Sequence, residues 1–287
     1  MTFRHRRAVL SLTTHFCLPH EGMTTLAYLS SGSAVVLRDS FNNSPSFSLA
    51  VVTCQHVACP WLFPHYFGAT WDWLQFVNED HVRHSLQLLA VNDDNPNSIV
   101  TKPEVLLDLP LAAQVQIHES RDLALLMLAD SAAVEKWQWA ETNLRDVQTL
   151  MLQSAPCKQG DDVVFSGHRR VKEGYQIPKT VAGHFVGCST SGQAFAWSQE
   201  LLEEGMCGGA VVGATTGECM GLVEGIVSAS VEESEAPSLD DREEHAAWQM
   251  RKALAGHVAF IPSSDVRKFI DEPNNLLLTG MGLPPYM

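Results

Sequence analysis

Across 287 residues, 45% are apolar and only 18% are charged, a balance that suits one large or two small hydrophobic cores. It excludes wholesale disorder, collagen-like repeats and a heptad rod, and no run approaches the ~18 apolar residues of a membrane span. Nineteen Lys and Arg against thirty-three Asp and Glu give a net charge of −14. That field repels phosphate backbones and argues against direct binding to nucleic acid.

The N-terminus reads MTFRHRRAVLSLTTHFCLPHEG, with Arg4, Arg6 and Arg7 and no acid before Glu21. Two readings of residues 1–20 stand: a mitochondrial targeting segment, or a first strand from Ala8 to Cys17 with a basic tip. The expected location is mitochondrial on the first and cytoplasmic on the second. Secretion is not expected, because seven cysteines (Cys17, Cys54, Cys59, Cys157, Cys188, Cys207, Cys219) make an odd set without a regular framework.

Strands dominate the chain that follows. SGSAVVLRDS (31–40) and SLAVVTCQHVA (48–58) are β-branched and bounded by Ser, Asn and Gly. Further strands are predicted at 112–120, 160–167, 179–187, 192–198, 208–229 and 256–262, with GATTGE (213–218) as a hairpin turn. Short strands between Gly-rich turns predict antiparallel barrels or a sandwich. Three stretches break the rhythm. Residues 60–100 read as a partly helical insertion holding Trp61, Trp71 and Trp73, with His81 and His84 on a helix surface. Residues 132–152 read as a helix dividing two halves, and SSDVRKFIDE (263–272) as a C-terminal helix. Between Glu200 and His245, twelve acids face one base, Arg242, and 232–244 reads as a solvated acidic loop.

The chemistry concentrates in Glu204-Gly205-Met206-Cys207-Gly208-Gly209-Ala210, ahead of an apolar strand. A thiol between glycines on a tight turn is open to close approach, and the Gly205 and Cys207 amides can converge as an oxyanion hole. A thiol nucleophile needs a base, and the base an orienting acid. His56, in Thr53-Cys54-Gln55-His56-Val57-Ala58, and Asp122, in Asp122-Leu123-Ala124-Leu125-Leu126, supply that pair.

These boxes resemble the trypsin-like proteases, most of all the HtrA-like branch. Thr53 to Ala58 is similar to T-A-A-H-V, Asp122 to Leu126 to D-L-A-L-L, and Gly205 to Ala210 to G-N-S-G-G-P with cysteine in place of serine. Gly32 to Val36, Gly160 to Gly167 and Phe260 to Ser263 match the framing strands in family order, so the resemblance covers about residues 30–270. It implies an all-β fold of two perpendicular, six-stranded antiparallel barrels with helical insertions and a C-terminal helix. The first barrel would span 21–135, a helical linker 136–155, and the second barrel 156–287 with an acidic loop at 231–250. His56 would be the base, Asp122 its orienter, Cys207 the nucleophile, and the Gly205 and Cys207 amides the oxyanion hole. Cysteine in this place resembles the 3C-like viral cysteine proteases, which share the fold.

The departures carry information too. Cys54 replaces a small alanine, Met206 removes the aspartate of zymogen activation, and the 66-residue interval from His56 to Asp122 is long for the family. On the resemblance, Ser228, Ala229 and Ser230 line the primary pocket and Leu201 lies near its floor, implying a small or medium apolar residue before the cut. Glu203, Glu204 and Glu224 are expected to raise the Cys207 pKa by like-charge repulsion.

The implied activity is peptide-bond hydrolysis on a peptide or protein substrate, without cofactor, metal or membrane. The rival for Cys54-x-His56-x-x-Cys59 is a zinc site lacking an obvious fourth ligand. The rival for the whole chain is an inactive protease-fold subunit of a large assembly, such as a mitochondrial ribosome. The aromatic insertions with Trp71, Trp73, Trp137 and Trp139 would then dock a partner or simply pack on the barrels.

Overall fold

The computed structural model describes residues 8–38, 49–67, 72–90, 103–144, 147–228, 242–272 and 276–280. Its first half holds β1 (Val9–Phe16), β2 (Ala27–Arg38), β3 (Leu49–Thr53), β4 (Val82–Leu89), β5 (Val105–Ile117) and β6 (Ala124–Leu128). They run antiparallel in the order β5-β4-β1-β2-β3-β6, and β5 pairs again with β6, which closes a six-stranded barrel. The second half holds β7 (Asp162–Lys172), β8 (Tyr175–Cys188), β9 (Ala194–Ser198), β10 (Ala210–Gly213), β11 (Cys219–Ile226) and β12 (Val258–Pro262). These close a second antiparallel barrel in the order β10-β11-β12-β9-β8-β7. The expected all-β architecture of two six-stranded barrels is what the chain forms.

The near-continuous apolar runs of β2, β3 and β6 follow from burial on both faces. Ala34 and Val36, Val51, and Ala124 and Leu126 enter the first barrel's interior. Their neighbours Val35 and Leu37, Val52, and Leu123 and Leu125 face outward into a core shared with Ala210, Leu222 and Ile261 of the second barrel. A third core of Val163, Phe165, Val211, Val223 and Phe260 fills the second barrel. Period-2 alternation thus builds each barrel and glues the two together.

Helices are few. Short α1 (Gln55–Ala58) and α2 (Pro64–Phe67) follow β3, and α3 (Ser131–Asn143) follows β6. Asp130 caps α3, its carboxylate accepting from the Ala133 amide at 2.8 Å, and fully buried Trp137 docks it on the first barrel. Helix α4 (Arg242–Ala253) precedes β12, and α5 (Ser263–Asp271) buries Val266 and Phe269 in the core between the barrels. No helix among the described residues is long and apolar enough to cross a membrane.

Residues 9–16 form strand β1, the first strand that one reading of the N-terminus expected, hydrogen-bonded to β2 on one side and β4 on the other, while 1–7 lie outside the described residues. Other expectations need correction. The stretch 82–89 is strand rather than helix, because His84 alternates with Val82, Leu86 and Leu88 into the interior. The dividing helix ends at Asn143, and the chain at 147–153 runs extended, with the Leu37–Leu150 and Leu152–Cys219 bridges stitching it to both barrels. Residues 242–250, placed in an acidic loop, begin α4; 231–241 lie outside the described residues. The C-terminal part does not stay on the second barrel: β13 (Leu276–Thr279) returns to pair with β5 of the first. Pairing with an open strand edge satisfies backbone groups that sequence periodicity does not count.

Candidate active site

Three elements converge at the seam. Strand β3 ends at Thr53 and the chain turns into α1, whose second residue is His56. The loop before β6 carries Asp122, and the turn before β10 carries Cys207. Asp122 grips His56 twice: Oδ1 accepts from the His56 amide at 2.9 Å, and Oδ2 meets ring Nδ1 at 2.5 Å. Cys207 is close enough to raise the pKa of the ring. The side chains of His56 and Asp122 are 18% and 16% exposed.

The charge state follows from these contacts. Burial alone would lower the His56 pKa, but hydrogen bonds and charge from Asp122 and Cys207 outweigh it and raise the value from 6.5 to about 10. The imidazole is therefore built to carry a proton beside the sulfur at neutral pH. With Nδ1–H directed at Asp122, the other ring nitrogen is left for the thiol proton.

The Cys207 turn is shaped by glycine at two points. Gly205 has φ +97° and Gly208 has φ +79°, both left-handed. A Cβ on Gly208 would run into the Ser33 carbonyl and the Thr53 hydroxyl. The Gly208 amide donates to the Val223 carbonyl at 2.8 Å, and the Val223 amide donates back to Gly209. The Arg170 amide holds the Glu204 carbonyl at 2.7 Å, and in a trans peptide that turns the Gly205 N–H the opposite way. Among the described residues, neither the Gly205 nor the Cys207 amide has an acceptor.

Sequence reasoning missed the groups that hold this turn. Ser33 Oγ donates to the Gly205 carbonyl at 2.8 Å and accepts from the His168 amide at 2.8 Å. The Ser33 amide donates to the Cys207 carbonyl at 3.1 Å. The small hydroxyl in the Gly32-Ser33-Ala34 box was the available signal. Also missed were Phe63 and Tyr66, whose rings lie 6.1 and 5.7 Å from that of His56. Tyr66 is 73% exposed and forms an aromatic wall beside the site.

The remaining predicted residues divide. Leu201 is 71% exposed and does not form a pocket floor; its neighbour Leu202 takes the buried place in the second barrel. Ser228 lies exposed just beyond β11, where the Val227 amide donates to the His257 carbonyl; Ala229 and Ser230 lie outside the described residues. Glu203 and Glu204 are paired with Arg169 and Arg170, at 3.2 and 2.6 Å. All seven cysteines are free thiols. Donor atoms of Cys54, His56 and Asp122 lie within 4.8 Å of one another, but Cys59 is not in that group. The Cys59 thiol is instead buried in the first barrel's core, which pushes its pKa up.

No family model and no curated protein matches the sequence. Among solved structures, the chain is similar to a serine endoprotease from Yersinia pestis at 16% identity and TM-score 0.48, covering 92% of this chain and 62% of that one. It is also similar to a protease from M. tuberculosis solved in its active form, at 14% identity and TM-score 0.46, covering 96% of this chain and 85% of that one. The fold is two closed antiparallel barrels, six strands in each. The three candidate residues come from both, His56 and Asp122 from the first and Cys207 from the second.

Proposed function

We propose that this chain is an endopeptidase of trypsin-like fold that cleaves peptide bonds through Cys207, His56 and Asp122. The observation that carries the reading is one imidazole, His56, bonded to Asp122 at 2.5 Å and drawn toward its protonated form by both Asp122 and Cys207. The Cys207 sulfur attacks the scissile carbonyl carbon as its proton rests on His56. The carbonyl electrons move onto oxygen, where the unpaired Gly205 and Cys207 amides receive them. Collapse breaks the C–N bond, and the leaving amine takes the His56 proton. Water, giving a proton to His56, then hydrolyses the thioester and restores the thiol.

A small or medium apolar residue before the cut remains part of the proposal, resting on segment 225–230, in which no acid stands. The test is turnover of a peptide library with Cys207→Ala and His56→Ala as controls, together with labelling by a peptide aldehyde. Turnover that survives Cys207→Ala would overturn the reading.

A second reading, a protease-fold subunit of a larger assembly, is favoured by Trp139, 54% exposed on α3 while Trp137 is fully buried. A monomeric profile in gel filtration of native extract would sink it.

A further inference from the structure

Among the described residues, one set of three metal-binding side chains stands close together, and it includes a thiol that the triad does not use. Donor atoms of Cys54, His56 and Asp122 all lie within 4.8 Å of one another. Cys54 is the residue between β3 and α1, and its side chain is fully buried. It makes no capping bond to the helix it precedes.

A thiol, an imidazole and a carboxylate are ligand types shared by zinc and similar thiophilic divalent ions. Tetrahedral zinc holds such atoms roughly 3.3–3.6 Å apart. Asp122 Oδ2 and His56 Nδ1 lie at 2.5 Å, so the carboxylate has to open by about 1 Å to admit an ion. Cys54 Sγ donates to the Val223 carbonyl at 3.2 Å. Drawing it off orphans nothing, because the Gly208 amide donates to the same carbonyl at 2.8 Å. The charges close as well. A Cys54 thiolate and the Asp122 carboxylate match a divalent ion, and a neutral imidazole adds nothing, so no uncompensated charge is left in the seam. Burial keeps the Cys54 thiol protonated without metal, so binding sends that proton and the one on the imidazolium to solvent.

We propose that Cys54, His56 and Asp122 form an inhibitory site for zinc or a similar thiophilic divalent ion, which disables Cys207 by taking away its base. The inhibition rests on the triad reading above, whereas the binding does not. A neutral imidazole has a free lone pair on only one ring nitrogen. Whichever nitrogen the metal takes, that pair is used and the other nitrogen carries hydrogen. His56 then has nowhere to receive the Cys207 proton, and Asp122, now a ligand, no longer orients the ring. Cys207 keeps its place and loses its base.

The experiment is a cobalt titration of the full chain, reading the near-ultraviolet thiolate-to-cobalt charge-transfer band. Zinc inhibition of peptide turnover is measured beside it, starting from metal-free protein. The wild type and Cys207→Ala should both reach that band at one equivalent, because Cys54 supplies the sulfur. Cys54→Ala and Cys54→Ser should both lose it, and two variants keep the test valid if one fails to fold. Without zinc, both Cys54 variants should turn over peptide like the wild type. Their half-inhibition should need at least ~10-fold more zinc, since even an outer partner of a metal ligand is worth that much affinity. A band that survives in a folded Cys54 variant, or vanishes in Cys207→Ala, puts the metal on another thiol and overturns the proposal. Cobalt bound through Cys54 with no peptide turnover in the wild type upholds the site and overturns the peptidase reading instead.

Discussion

Ser33 Oγ, on a strand of the first barrel, donates to the carbonyl of Gly205 in the Cys207 turn of the second at 2.8 Å. With the Ser33 amide on the Cys207 carbonyl, one residue holds the turn at both ends. The geometry of the proposed oxyanion hole therefore depends on how the barrels dock. Ser33→Ala removes the bond to Gly205 and strands the buried His168 amide, at a cost of about 1–3 kcal/mol. The expected outcome is at least a ~10-fold fall in kcat/KM, carried in kcat, because a displaced oxyanion donor acts in the transition state. Steady-state kinetics and a urea melt separate the catalytic loss from the stability loss.

Gly208→Ala should be more damaging. The left-handed φ of +79° disfavours any L side chain, and the new methyl meets the Ser33 carbonyl and the Thr53 hydroxyl at once. Destabilisation on the order of 2–4 kcal/mol is expected, read as a lowered urea midpoint. A variant as stable as the parent would contradict the packing of this turn against the first barrel.

His56 and His84 give opposite pH dependences. His84 is buried on β4 with Nδ1 bonded to Thr14 at 2.9 Å, and burial lowers its pKa from 6.5 to about 4. It is neutral when folded and takes up its proton on unfolding, so its stability contribution is full above pH 6.5 and is lost as pH falls toward 4. The loss is roughly 3 kcal/mol by linkage. Replacing it with Gln should flatten the acid limb of a stability–pH curve measured in urea.

His56 runs the other way. Its folded value near 10 lies above the ordinary 6.5, so its contribution is full below pH 6.5 and fades as pH rises through 10. Alkaline destabilisation should thus be steeper in the wild type than in His56→Gln. Equal alkaline limbs would mean that the imidazolium is not stabilised in the fold.

Trp137→Ala tests the helix between the barrels. The indole is fully buried against the first barrel while Trp139, two residues on, is exposed. Truncation should cost about 3–5 kcal/mol, whereas Trp139→Ala should stay within about 0.5 kcal/mol. Thermal unfolding of the two variants is the comparison.

Much of the candidate site was legible before any tertiary structure. Glycines around Cys207, a histidine at a strand end and an aspartate opening an apolar run are local patterns, because each answers a local need for a tight turn or an exposed strand tip. The two-faced apolar runs of β2, β3 and β6 were legible as strands for the same reason. Other features depended on distance in the chain. His84 reads like a surface histidine until β4 is placed beside β1 and its ring meets Thr14. Leu201 and Leu202 are indistinguishable in composition, and only the barrel wall decides which enters the core. Ser33 lies 172 residues from Gly205, and the two meet only when the barrels close and dock. Local chemistry selects the residue types, but a hydrogen bond falls off within an ångström or so of its best length. Which donors reach which acceptors is therefore decided by the packing of the two cores.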